Sequence, residues 1–240
     1  YPLAVSTTAR WLAGQLDTQA AEWQIRFAGN PEAEAQPDQT EQGFFLDFER
    51  REIILYAAGM DPAAILRTPH LRYAASVGLA AALRAVWHNR PGIPDIMDYQ
   101  PAAQLALMRI RTADTVCIAC RIAFELRQAG FPGLWRAALG GSWGDMAQAL
   151  GRMIETDPGS LHDHRAMLKA FRQWYADSDR VRACDHRTLN EIDADLEARM
   201  PGESPNPYGV QVLDGQTAAA QACLPGRQSY IAPYGHLILR

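Results

Sequence analysis

Six histidines, four cysteines and 27 carboxylates are the groups in this 240-residue chain that could do nucleophilic, acid–base or metal chemistry. The tightest cysteine pair is Cys117-Ile118-Ala119-Cys120. A C-x-x-C pair holds zinc when a second pair or two histidines follow at finger spacing, and works as a redox couple between a strand and a helix. Neither context is present. The two thiols sit among Val116, Ile118, Ile122 and Phe124, where cysteine acts as a small buried hydrophobe. His162-Asp163-His164 offers two imidazoles and a carboxylate, but helix positions i and i+2 point apart. The group follows Gly159-Ser160, so Asp163 reads as a helix-start residue meeting the dipole. In Cys184-Asp185-His186, Asp185 likewise suits the N-cap of a helix over 186–199. Glu191/Asp195 and Asp193/Glu197 lie at i,i+4 on a polar helix, a solvated face. Glycine-rich phosphate loops and a G-x-S-x-G elbow are absent from the sequence. No metal ligand set and no cofactor is expected.

The elements that must position these groups are mostly helices. Leu12, Leu16, Ala20, Trp23 and Phe27 recur at helical spacing and predict one amphipathic helix over 6–28. Asn30-Pro31 ends it, and 31–42 is an acidic, proline-punctuated surface linker. Over 44–57, Phe44, Leu46 and Phe48 alternate before Glu49-Arg50-Arg51-Glu52, and Ile53, Leu55 and Ala57 alternate after it, which predicts a β-hairpin. Asp61-Pro62 opens a short helix closed by Thr68-Pro69. Residues 71–88 form the most apolar helix, buried on all sides. A long helix over 95–129, interrupted near Tyr99-Gln100-Pro101, precedes shorter ones at about 132–139, 143–155, 161–177 and 186–199. The stretch from Met200 is rich in Pro and Gly; Tyr230-Ile231 and His236–Leu239 are its candidates for a short strand or for packing on the core.

Forty alanines, one residue in six, favour helix. A net charge of −4 with 48% hydrophobic residues argues against disorder and against a nucleic-acid binder. Apolar runs fall short of the roughly 18–20 residues that span a bilayer, and Arg84 breaks the longest. Scattered cysteines point to a reduced, cytoplasmic protein. The chain begins at Tyr1, which leaves a removed leader open.

The order hairpin, short helix, buried helix resembles the zincin metallopeptidases, in which the buried helix carries H-E-x-x-H: two histidines at i and i+4 on one zinc, with a glutamate as general base. More closely, the chain resembles a bacterial family of zinc metallopeptidase domains of otherwise unknown function. That family's helix reads H-E-L-R-H-x-W, against Ala81-Ala82-Leu83-Arg84-Ala85-Val86-Trp87 here. Leu83, Arg84 and Trp87 match. Phe124-Glu125-Leu126-Arg127-Gln128-Ala129-Gly130, Phe171-Arg172-Gln173-Trp174-Tyr175 and Asp185-His186-Arg187-Thr188-Leu189 extend the likeness over roughly 44–190. The resemblance implies vestigial positions: Ala81 and Ala85 stand at the histidines and Ala82 at the glutamate. Thr112 takes the place of a further glutamate in a Glu-Ala-Asp group, of which Asp114 remains. The implied fold is mainly α with a small β-hairpin (α+β), a zincin-like helical domain around a buried central helix. It would run 1–30 as N-terminal helix, 31–43 as linker, 44–199 as the zincin-like domain and 200–240 as an irregular tail packed on it.

Alanine gives a metal no lone pair and shuttles no proton. The expected function is therefore a non-catalytic, metallopeptidase-like domain that acts in binding or scaffolding, with a protein or peptide as partner. Ala81, Arg84, Ala85 and His88 share one helical face, and Arg84, His88, Asp114 and Glu125 are its candidate cleft residues. Arg84 needs a carboxylate, carbonyl or ligand partner, because an unpaired buried charge is costly; Asp114 and Glu125 are the candidates. One alternative is an active hydrolase using His88, His236 or the His162/His164 pair with Asp114. Another is a helical interaction module of unrelated ancestry.

Overall fold

The computed structural model describes residues 2–20, 23–28, 43–56, 62–90, 93, 95–198, 209–225 and 228–232. The linker expected at 31–42 and the segment His236–Leu239 lie outside the described residues. The chain forms two compact units, one of residues 1–87 and 115–173, the other of 88–114 and 174–240.

The first unit opens with a 3-10 turn, Pro2–Val5, and helix α1, Thr7–Ala20. Ser6 caps α1, its hydroxyl accepting from the Ala9 N–H at 3.0 Å. The single helix expected over 6–28 is corrected here: it stops at Ala20, and Gln24–Ala28 is strand β1. Strands β2, Phe44–Asp47, and β3, Glu52–Tyr56, form the expected antiparallel hairpin. β1 pairs with β3 in parallel, giving the order β1-β3-β2. Gln-Ile-Arg-Phe-Ala satisfies helical spacing on paper, but Ile25 and Phe27 also alternate, and β3 supplies the hydrogen bonds that decide between the two. Ile53, Ile54 and Leu55 are buried in succession, as a central strand covered on both faces requires. The hairpin turn has no glycine; Arg51 itself takes a positive φ of 55°, and Asp47 accepts from the Arg50 N–H at 2.9 Å.

Helix α2 runs Pro62–Arg67 and α3 runs Pro69–His88. The burial expected on all sides of α3 is corrected here: Arg72, Tyr73 and Ala74 are exposed, and its buried residues begin at Val77. Pro69 begins α3 as well as ending α2, since proline at the first helical position sacrifices no needed donor. A Cβ at Gly78 would stand 3.6 Å from the Gly43 carbonyl and 3.8 Å from Leu55, so α3 rests on the sheet. The second half of α4, Pro101–Gln128, follows, buried from Thr115 to Cys120. Helices α5, Gly133–Gly140, and α6, Gly144–Thr156, precede a 3-10 turn, Pro158–Leu161, and α7, Arg165–Ala176.

The second unit takes the 3-10 turn Ile96–Asp98, the first half of α4, and helices α8, Ser178–Ala198, and α9, Gly215–Ala220. Two expectations are corrected here. α8 begins eight residues before the expected 186, capped by Asp177, which accepts from the Asp179 and Arg180 N–H groups. Cys184-Asp185-His186 therefore lies inside a helix, and Asp185 is no N-cap. The tail expected to be irregular holds α9, capped by Asp214 through the Thr217 N–H at 2.7 Å. A bridge joins Tyr99 to Gln211. Gly209 makes it possible, because a Cβ there would collide with the Asp98 carbonyl. Tyr230 and Ile231 are buried. Among the described residues the class is mainly α with a three-stranded sheet, and no helix is long and apolar enough to cross a membrane.

Candidate functional site

Helix α3 carries Ala81, Ala82 and Ala85, the positions that the resemblance aligns with a zinc-binding motif. Ala81 and Ala82 are wholly buried and Ala85 partly so. Between them Arg84 is buried to 0% exposure, its guanidinium carbon 3.7 Å from the Trp87 ring centroid and 5.5 Å from that of Trp11. Aromatic faces thus support this cation, a partner type the sequence reading missed because Trp11 is distant in sequence. Trp87 at i+3 was within reach of that reading.

Glu125, one of the two carboxylates expected to meet Arg84, serves another purpose. It accepts from the Ser6 hydroxyl at 2.7 Å, from the Thr8 N–H at 2.9 Å and hydroxyl at 2.6 Å, and from Arg121 at 2.9 Å. Burial alone would push its carboxyl up; the Thr8 side chain and backbone, then Ser6 and Arg121, outweigh it and hold the group below the usual glutamate range. The long-range partner of α1 is therefore a carboxylate on α4.

In the second unit His88, Asp114 and Tyr230 come together. His88 Nε2 stands 2.9 Å from Asp114 Oδ2, and the Tyr230 hydroxyl donates to Asp114 Oδ1 at 2.7 Å. All three side chains are buried. With Asp114 as carboxylate, Nε2–H is the donor in this bond. A carboxylate that orients an imidazole is a component of acid–base sites. It is equally a means of satisfying buried polar groups. Nearby, Arg109 clamps Asp185 through two bonds of 2.5 and 2.6 Å, and Thr112 Oγ1 meets the Cys184 sulfur at 3.6 Å. Burial pushes the Cys184 thiol up, away from reactivity.

Cys117 and Cys120 are buried thiols within α4. Asp163 accepts from the Arg165 N–H at 3.1 Å and Nε at 2.7 Å, bonds that hold its carboxyl down. It closes the turn into α7 beside His164, whose φ is +67°. Among the described residues no group of three His, Cys, Asp or Glu is placed to hold a metal ion. The residues at 81, 82 and 85 carry only methyl groups, which offer a zinc ion no donor.

A mainly helical fold with a small three-stranded sheet, and a helix, α3, buried over its second half and resting on that sheet, define the class. Residues 67–199, more than half of the chain, match the model of the family described as "Putative metallopeptidase family" (DUF6782), and the chain belongs to that family. The match begins at the end of α2 and runs through α8. No curated protein and no solved structure matches the chain.

Proposed function

We propose that this chain is a non-catalytic member of its metallopeptidase family, retained to bind a protein or peptide partner. The supporting observation is the composition of α3: Ala81 and Ala82 are fully buried, Ala85 lies one turn on, and none can ligate zinc or move a proton. This reading carries no metal cofactor, no nucleic-acid partner and a cytoplasmic location. Elemental analysis of the purified chain, dialysed against zinc and then buffer, tests it. The expected zinc content is well below one per chain, with no chelator-sensitive cleavage of a denatured protein substrate. One tightly held zinc together with such cleavage would overturn the reading.

A second reading, a hydrolase built on His88 and Asp114, draws on their 2.9 Å contact. It is tested by the same cleavage assay with His88→Gln. Activity that survives chelator and is lost in the variant would favour it. The burial of both groups favours a structural role, since a general base must reach its substrate.

A further inference from the structure

A groove of about 390 Å³ lies between α6 and α7, within the first unit and apart from α3. Asp145, Gln148, Ala149, Arg152, Met153 and Thr156 line one side. Their spacing of three, four, seven, eight and eleven residues is a single face of α6. Lys169 and Gln173, one turn apart on α7, line the other. The volume falls in the range of small-ligand sites, and a cleft between helices is a common place for one.

The charges in this groove are out of balance for a structural reason. The acids closest in sequence to its cations have other partners. Glu155, the only acid three or four residues from Arg152, accepts from Arg127. Asp157 and Asp163 both pair with Arg165. Asp145, inside the groove, accepts from Gln173 at 3.2 Å. Lys169 has Arg165, Ala166, Arg172 and Gln173 at its helical neighbour positions, none of them acidic. Arg152 and Lys169 consequently make no ion pair among the described residues. Two cations and one carboxylate, Asp145, face one concavity, which leaves it with an excess of one positive charge in a chain whose net charge is −4.

We propose that the α6–α7 groove binds an acidic peptide segment, with carboxylates at Arg152 and Lys169 and apolar atoms on Ala149 and Met153. The length of the groove favours a peptide over a lone small anion. Asp145 to Thr156 is eleven helical steps, about 16 Å, which matches about five extended residues. Thr156, Gln148 and Gln173 supply side-chain hydrogen-bonding groups along it. The proposal does not rest on the loss of zinc chemistry, and binding here is read separately from metal content.

The test is fluorescence anisotropy of labelled Glu-Leu-Glu-Leu-Glu, blocked at both ends, with Gln-Leu-Gln-Leu-Gln as control. Wild-type protein should bind the acidic peptide saturably and ignore the control, and binding should weaken with added salt. Arg152→Gln and Lys169→Gln should each weaken it a few-fold, and together about tenfold, as two solvent-reachable charge contacts would. Thermal melting of the double variant, unchanged, shows that the loss is local. Equal binding of both peptides, or binding unchanged in the double variant, would overturn the proposal, as would no binding at all. Displacement by glutarate or sulfate at the peptide's own concentration would also overturn it, marking a site for any small anion.

Discussion

Asp114 is the most consequential side chain in the second unit, because it gathers a histidine and a tyrosine in a place water does not reach. Removing the hydroxyl with Tyr230→Phe should cost about 1.5–3 kcal/mol, the net worth of a hydrogen bond to a charged group. Asp114→Ala strips two partners at once and should cost about 3–5 kcal/mol. Urea unfolding of the two variants, compared at constant slope, measures both. Glu125 carries a pH dependence of definite sign. Its folded pKa lies below its unfolded value of about 4.3. Its stabilising contribution is therefore complete above that value and is lost as pH falls through the folded pKa. Wild-type stability should drop on acidification below about pH 4.3, and Glu125→Gln should flatten that part of the profile while lowering stability at neutral pH. Equal acid slopes in the two proteins would contradict the assignment.

Among the elements, periodicity performed well where packing and propensity agree. The hairpin, α2 and α3 fall within two residues of where spacing and proline placement put them. Performance was worse where a remote partner chooses. Gln24–Ala28 reads as the end of a helix until β3 offers it a parallel ladder. α8 starts early because Asp177, rather than Asp185, caps it, while Asp185 is drawn to Arg109, 76 residues away. Gly209→Ala belongs to this scale. It should open the contact of the 209–213 segment with Asp98, and hydrogen exchange at the Gln100 and Gln211 amides should quicken by tenfold or more. Those two amides bond across that contact at 2.9 and 3.0 Å, and local opening governs their exchange.

For the whole molecule, the family match over 67–199 and the resemblance built on Leu83, Arg84 and Trp87 point the same way. If the chain holds no structural metal, a strong chelator should leave its melting temperature and circular dichroism unchanged. A fall of several degrees would mean that a metal contributes folding energy. The helical class, the burial of the second half of α3 and of the α4 cysteines, and the alanines at 81, 82 and 85 were readable from residue order, because they depend on local spacing and on what a side chain chemically lacks. Tyr230 on Asp114, Ser6 and Thr8 on Glu125, Trp11 on Arg84, and the two cations of the α6–α7 groove were not. Each joins residues far apart in the chain or depends on which acids are already engaged. Partner choice of that kind is set by the three-dimensional competition among polar groups for burial and hydrogen bonds, which no local pattern records.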